Sequence, residues 1–355
     1  MKMIVGWSRR RLVGATHSWL SLSVLLALIV GITYILGNKS VADIVTSFLI
    51  LSSMVVAYHS FMGNSGIVSF GHVAFFGIGA YSSALLNIPP ETKEAALPAL
   101  PPILRQMQIG AIPAIVIAAA FAGVIALVIG LVISRMQENA MGISTFALLV
   151  IVHTVIQCWD PVTRGGKGLY NVPRVMTPAT ALIGLMLIIG VALLFKASPM
   201  GLRLLGARDD KLAAQSLGIH LVPVRLFGWV LSAILMGAGG AMWAHNVVAF
   251  GHHSFFFRDT FAIIAMLIIG GQASVTGSIV GCAVITIVSE LMRYPERGMV
   301  IGSIHIPELY GAVQLTIAVL ILATLILRPS GILGSKELAL PIWQWIKNLN
   351  RQTQT

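Results

Sequence analysis

The apolar positions of this chain fall into long runs that short polar segments separate. Most runs have about 20 residues, the length at which a helix crosses a hydrocarbon core of about 30 Å. The run at 260–271 is too short to cross alone as a straight helix, so it predicts a half-helix. The runs lie at residues 19–37, 42–61, 65–86, 110–134, 140–159, 179–195, 223–250, 260–271, 277–292 and 309–327. The pattern predicts an all-α integral membrane protein of about ten transmembrane segments, some of them short or broken.

Composition supports the same class. Of 355 residues 57% are hydrophobic and 10% are charged, whereas a soluble domain carries about 25% charged residues. We therefore expect residues 1–355 to form a single transmembrane domain. The first run is long and has no small-residue cleavage site behind it, so it is interpreted as a retained span and not as a signal peptide.

The basic residues give the predicted spans an orientation, because lysine and arginine favour the cytoplasmic side. An even number of spans places both termini together. If both are cytoplasmic, the inner segments hold 14 of the 23 basic residues and four acids, which gives +10 inside and +1 outside. The net charge of +11 is thus explained by topology, and no nucleic-acid partner is needed. Segments 1–18, 198–223 and 328–355 are predicted to be cytoplasmic.

Segment 88–109 is the longest predicted loop on the outer, periplasmic side. It is rich in proline and mixed charge, so we expect it to be irregular and solvated. The two cysteines, Cys158 and Cys282, lie in different runs. They predict neither a disulfide framework nor a metal site, and no cofactor is indicated.

A glycine-rich break interrupts the third run, between Gly63 and Leu86. Such a break survives in lipid only where the freed backbone faces protein or water. Ser69 and His72 lie beside the glycines, which favours a broken helix lining a solute path over close helix packing through small residues. For His72 itself, a neutral histidine bonded to a neighbouring helix is an equally good interpretation. The broken-helix glycines are Gly66, Gly71, Gly77 and Gly79.

A second break follows the short run and contains Gly270, Gly271 and Gly277, with Ser274 and Thr276 among them. Paired glycine-interrupted segments at matching positions indicate a transporter binding site near the midplane. If ten spans divide five and five, the third and eighth correspond, and the odd number makes the halves an inverted repeat. Ser274 and Thr276 are then candidates to line the translocation path with the two polar residues of the first break.

The segment 198–223 has leucines interleaved with charged residues, which predicts short amphipathic helices on the inner surface. These helices could dock a cytoplasmic partner as a helix in a groove, or they could only anchor the flanking spans. The sequence by itself favours neither.

Four stretches resemble permease subunits of branched-chain amino acid importers of the ABC class. Residues 208–242 resemble the coupling region of that family, with Ala213, Ala214 and Gly218 as its AA-x3-G core and the Leu-Ser-Ala and glycine-rich pattern at 231–240. The other stretches are G-x-x-SFGH-x-AFFGIGAY at 66–81, IGGQASVTGSIVG at 269–281 and RPSGILG at 328–334. Three segments depart from the family pattern: Leu212 replaces a frequent acidic residue, and 138–149 and 163–169 match only loosely.

The resemblance implies a non-catalytic half-pore in a bacterial inner membrane that moves small amino acids, above all branched-chain ones, by alternating access. It also implies a second related permease in a heterodimer or homodimer, two cytoplasmic ATPase subunits and a periplasmic binding protein. The chain itself has no GxxxxGK[ST] phosphate loop. The residues that would couple to the ATPase are Arg208, Asp209, Asp210, Ala213, Ala214 and Gly218.

Three alternatives remain at this point. Close relatives in the family handle urea and short amides. An ion-coupled secondary transporter would need acidic groups at mid-membrane, and the predicted spans contain none. A haem-binding electron-transfer subunit would need two histidines facing each other at like depth, and no convincing pair is found.

Overall fold

The computed structural model describes residues 2–296, 299–301, 304–306, 309 and 311–338. In the part of the chain that it describes, the helices are joined by loops, and the strands form one short antiparallel hairpin. The predicted tail 328–355 is described only to residue 338. In chain order the elements are α1 (Lys2–Leu36), α2 (Lys39–Ser65), α3 (His72–Asn87), α4 (Pro90–Ala96), α5 (Pro102–Gln106), α6 (Ala111–Ile133), α7 (Glu138–Cys158), α8 (Asp160–Thr163), α9 (Pro178–Ala197), α10 (Pro199–Asp209), α11 (Lys211–Ser216), α12 (Leu221–Val247), α13 (Phe257–Gly270), α14 (Val275–Glu296), β1 (Met299–Ile301), β2 (Ile304–Ile306) and α15 (Ala312–Leu327).

Seven helices in the described ranges are long and apolar enough to cross a membrane: α1, α2, α6, α7, α9, α12 and α14. This confirms a multi-pass helical membrane protein. Helices α3, α13 and α15 have 16, 14 and 16 residues, so each is only about 21–24 Å long at 1.5 Å per residue. The count of ten spans and the five-plus-five plan therefore stay predictions.

Helix α12 lies at the centre of the bundle and packs against α2, α3 and α6. Small residues allow the close approach: a β-carbon added at Gly79 of α3 would overlap the Gly237 carbonyl, and one added at Gly240 would overlap the Phe76 carbonyl. The fully buried Trp229 donates from its indole nitrogen to the Ala126 carbonyl at 3.1 Å. Backbones in lipid approach this closely where glycine replaces larger side chains.

Polar contacts define the two ends of the bundle. At the α10 end, Glu138 of α7 forms an ion pair with Arg225 of α12 and lies 4.0 Å from Lys211 of α11. At the α4 end, Arg174 and Asp43 form an ion pair of 2.6 Å. The long helices run between these ends.

The loop 88–109 is more ordered than the sequence predicts. It contains α4 and α5, and Lys93 is fully buried between them, donating to the carbonyl oxygens of Leu104, at 3.1 Å, and Met107. Burial lowers the pKa of Lys93. The expectation of an irregular segment is wrong, because two short helices form and one lysine satisfies backbone carbonyls that water would otherwise solvate. Most of the remaining residues between 91 and 108 are exposed.

Candidate functional site

The first glycine break is a non-helical segment, 66–71, between α2 and α3. Gly66 ends α2 with a φ of 72°, and its amide donates to the Met62 carbonyl. The Tyr58 hydroxyl, about two turns before the end of α2, donates to the Ser69 carbonyl at 2.8 Å. The segment therefore folds back alongside α2, and α3 begins within the bundle, not at its edge. Gly77 and Gly79 lie inside α3, where they allow close packing and do not break the helix.

Ser69 and His72 lie together at the start of α3. The Nδ1 atom of His72 is 2.8 Å from the Ser69 hydroxyl oxygen. The rings of Tyr58, Phe61 and Trp229 surround the imidazole, with centroids 4.8–5.4 Å away. His72 is 1% exposed, so this aromatic enclosure is closed to solvent in the present conformation.

The second glycine segment is the turn between α13 and α14. Gly271 has a φ of 122° and ends α13. A β-carbon at Gly270 would overlap the Gly277 carbonyl, so Gly270 and Gly277 hold the two helices in close contact. Three residues separate Gly271 from the first residue of α14, Val275.

The segment 328–338 packs on this second turn. The Ile332 amide donates to the Ile269 carbonyl at 2.9 Å, and the Leu333 amide donates to the Gly270 carbonyl at 3.1 Å. The RPSGILG stretch thus binds the end of α13 through backbone hydrogen bonds that α13 could not satisfy within itself.

Glu337, in that segment, caps the N-terminus of α14. Its carboxylate accepts from the amides of Val275 and Thr276, both at 3.0 Å, and from the hydroxyls of Thr276 at 2.8 Å and Ser274 at 3.1 Å. The Lys196 ammonium lies 2.7 Å away. Burial acts to raise the pKa of Glu337, but Lys196 and the amide donors outweigh it and lower that pKa to about 2.

Ser274 and Thr276 are therefore bound to Glu337 in this conformation. Among the described residues, no hydrogen bond joins them to Ser69 and His72. In the sequence, Glu337 is only one of the four acids of the predicted cytoplasmic segments. The one available signal was the sequence Ser-Val-Thr at 274–276, where α14 begins, which favours an anionic cap but does not identify the partner 61 to 63 residues away.

A third break, which the sequence reasoning did not single out, joins α12 to α13. Val248 ends α12 with a φ of 70°, a 3-10 turn follows at His252–Phe255, and α13 begins at Phe257. Phe255 packs edge-on against Phe76 of α3, with ring centroids 5.0 Å apart. A long helix, a break and a short helix thus occur twice, as α2 to α3 and as α12 to α13.

Two short helices, α10 and α11, form the predicted coupling segment. The Asp210 carboxylate caps α11 by accepting from the Ala213 amide at 2.9 Å. Ala214 is buried, whereas Leu212 and Leu217 are 76% and 81% exposed. Gly218 follows α11 with a φ of 79°, and a β-carbon added there would meet no atom within 4 Å. Asp209 is exposed.

Arg208 connects α10 to the inner core of the bundle. Its guanidinium donates to the Gly63 carbonyl, and its side chain leaves no room for a β-carbon at Gly66, which would lie 2.9 Å from the Arg208 Cγ atom. A β-carbon at Gly63 would lie 2.6 Å from the carbonyl oxygen of Gln272, in the second turn. The last turns of α2 therefore contact α10, the first break and the second turn at once.

Comparison with known proteins gives this arrangement a family. A family model described as the permease component of the branched-chain amino acid transport system matches residues 40–323. The high-affinity branched-chain amino acid transport system permease protein LivM of Salmonella typhimurium is 22% identical over 308 residues, 77% of this chain and 68% of LivM. LivM of Escherichia coli is 22% identical over 290 residues, 72% of this chain and 64% of LivM. The chain spans about two thirds of the length of these two relatives.

A third relative is the probable branched-chain amino acid transport permease protein LivH of Methanocaldococcus jannaschii. It is 30% identical over 153 residues, 42% of this chain and 45% of LivH. No solved structure matches the chain. The match over most of the length, in a multi-pass helical bundle, confirms the resemblance seen in the sequence motifs: the chain belongs to the family of branched-chain amino acid transport permease components.

Proposed function

We propose that this chain is one pore-forming subunit of an ATP-driven importer that moves branched-chain amino acids across a bacterial inner membrane by alternating access. The α10 end of the bundle is cytoplasmic in this proposal, together with both termini, because lysine and arginine concentrate there. The α4 end is then periplasmic. The family match and the LivM and LivH relatives support the solute class.

The observation that carries the proposal is the contact of Arg208 with α2. A partner that moves α10 and α11 would move the Gly63 carbonyl, and with it the first break and the Gln272 turn. A partner shifts the equilibrium between the outward-open and inward-open conformations of the pore only if it binds the two conformations with different free energy. A half-buried contact that joins α10 to the last turns of α2, and through α2 to the first break and the Gln272 turn, can provide that difference.

The exposed Leu212 of α11 and Leu217, which follows that helix, favour a protein partner on this surface. Leu212 and Leu217 project from an ordered segment whose Ala214 side is already buried. Apolar side chains presented in this way suit a helix-in-groove contact. We assign the surface to one of two cytoplasmic ATPase subunits. A second permease, related to this one as LivH is to LivM, and a periplasmic binding protein complete the assembly.

The repeated break supports a ten-span, five-plus-five plan. In this plan α1, α2, α3, α6 and α7 form one half, and α9, α12, α13, α14 and α15 form the other. The first break at 66–71 then corresponds to 248–256, before α13, and not to the turn at 270–277. Helices α3 and α13 run in opposite directions, as an inverted repeat requires. Reporter fusions after each span test the plan, and equal orientation of α3 and α13 would contradict it.

The assembly itself is tested by purification from the native host. We expect the chain to co-purify with a second permease and ATPase subunits, and reconstituted vesicles to take up leucine, isoleucine or valine only with ATP and binding protein. Uptake driven by an ion gradient without ATP would overturn the proposal.

The coupling role of α10 is tested by Arg208→Met, with Arg203→Met as its matched control. Arg203 is exposed on the same helix and, within the described part of the chain, donates only to the Met200 sulfur at 3.9 Å. We expect Arg208→Met to reduce solute-stimulated ATP hydrolysis at least 10-fold, because about 1.4 kcal/mol of lost coupling is a 10-fold change, while Arg203→Met stays within twofold.

Gly218→Val, strained by its positive φ, should lose coupling or assembly. Unchanged coupling in an assembled complex would contradict the docking role.

A further inference from the structure

Helix α13 begins near the middle of the membrane. Phe257, its first residue, stacks on Phe146 of α7 with centroids 5.0 Å apart, and Phe256 stacks on His153 of α7 at 4.0 Å. At 1.5 Å per residue, Phe146 and His153 lie about 12 Å and 22 Å along a helix about 30 Å long that starts at Glu138. The start of α13 lies between these two levels, so its first turn is at mid-membrane depth.

This first turn carries two opposite charges that the bundle leaves unpaired. Arg258 is exposed and Asp259 is half-buried. Neither forms an ion pair within 4.0 Å with any residue that the structure describes. The run predicted from hydropathy began at residue 260, which is why the sequence reasoning found no acidic group at this depth. Ionisable groups at such a depth face a bundle interior or a water-filled cavity, because burying a charge in hydrocarbon is costly.

The same surface is polar above these charges, toward the α4 end. The half-buried His153 of α7 and the buried His252 have ring centroids 5.2 Å apart, and the exposed His253 lies 3.8 Å from His252. A lipid-facing surface would not carry three imidazoles beside an arginine. A surface of this kind faces protein or a water-filled cavity in the assembled protein.

Below the charges, toward the α10 end, the surface is aromatic. Phe261 is 55% exposed and Phe146 is 38% exposed. Phe70, from the first break, has its ring centroid 6.1 Å from that of Phe261 and 6.0 Å from that of Phe146. The first break and α13 thus share one apolar layer immediately beneath the charged turn.

We propose that Arg258 and Asp259 bind the carboxylate and ammonium groups of a zwitterionic amino acid in transit, while its apolar side chain packs on Phe146, Phe257 and Phe261. This deepens the proposed function and rests on it. The second permease subunit closes the opposite side of the cavity. An arginine provides a fork of donors that matches a carboxylate, and the positive end of the α13 dipole adds to it. Urea and neutral amides lack the charges that this pair would recognise.

The first experiment asks whether the surface meets water. In a background with Cys158→Ser and Cys282→Ser, Arg258→Cys in the assembled complex should react with a water-soluble, membrane-impermeant thiol reagent. Val128→Cys, on an exposed apolar face of α6, is the control and should react at least 10-fold more slowly. Equal, slow labelling at both positions would place Arg258 against lipid and overturn the inference.

The second experiment measures binding-protein-dependent leucine uptake in vesicles of the full assembly. Arg258→Gln and Asp259→Asn should each reduce uptake at least 10-fold, and Arg258→Lys should retain more uptake than Arg258→Gln because the cation remains. The control is Arg293→Gln, which removes an exposed arginine paired at 3.1 Å with Glu290, and it should stay within twofold.

Different results would contradict the zwitterion site and the proposed importer. Wild-type uptake by both Arg258→Gln and Asp259→Asn would contradict the zwitterion site and would leave the ATP-driven importer unaffected. Absence of ATP-driven uptake in the unmodified assembly would contradict the proposed function. The rates of thiol labelling would still show whether α13 lines a water-filled cavity. If Arg258→Gln does not assemble, the Lys variant and the labelling rates decide the inference.

Discussion

Replacement of Glu337 by alanine should destabilise the permease by about 3 kcal/mol. The change leaves the Lys196 ammonium with the Ala273 carbonyl as its described partner. It also removes the acceptor of two backbone amides and two hydroxyls at the start of α14. These donors then lie in a partly buried site that has little water to replace the carboxylate.

The magnitude follows from the burial of the pair. Removing one partner of a buried ion pair costs about 3–5 kcal/mol. The side chains of Lys196 and Glu337 are 20% and 21% exposed, so solvent screens them in part, and the lower end of that range applies. Replacing both by apolar residues, as in Lys196→Met with Glu337→Leu, should recover about 1–2 kcal/mol, because no isolated charge is then buried.

The assay is reversible unfolding of the purified permease in mixed micelles, followed by tryptophan fluorescence against denaturant. Glu290→Ala is the matched control: its half-buried carboxylate pairs with the exposed Arg293 in an i,i+3 contact, and pairs at the surface are worth about 0–1 kcal/mol. A loss below 1 kcal/mol for Glu337→Ala, or a double variant no more stable than the single one, would refute the cap.

The Glu337 cap, the Gly79 helix contact and the buried Lys93 each give a further prediction. The pKa of Glu337 lies near 2, below its ordinary value of 4.5. Its contribution to the free energy of unfolding should therefore be complete above about pH 4.5 and be lost as the pH falls toward 2. In the Glu337→Gln variant, the free energy of unfolding should depend less on pH over this range. Gly79→Ala should prevent folding or cost at least about 3 kcal/mol through overpacking, whereas Gly31→Ala, with open space around it, should be neutral by the same unfolding assay. Lys93→Met should speed proteolysis within 88–109 at least 10-fold, while the Gly31→Ala protein keeps the wild-type cleavage rate.

The helical runs and the turns at glycine could be predicted because they depend on local sequence. Gly66 and Gly271 adopt a positive φ at the ends of α2 and α13, as expected where a helix stops. The position of Asp259 could not be predicted, because hydropathy does not separate a helix that starts in water from one that starts inside a membrane. The order of loop 88–109 was missed for a related reason, since the carbonyls that Lys93 binds lie 11 and 14 residues further along.

The sequence by itself determined that lipid is the solvent of this chain, since a chain with 10% charged residues cannot cover itself with a water-compatible surface. Its motifs also determined the family. Only the tertiary structure decided that Glu337 caps α14, that Arg208 of α10 binds the Gly63 carbonyl of α2, and that a break at 248–256 separates α12 from α13. Each of these depends on groups far apart in sequence whose pairing is set by the packing of helices, and helix packing is a property of shape and close approach that no local pattern records.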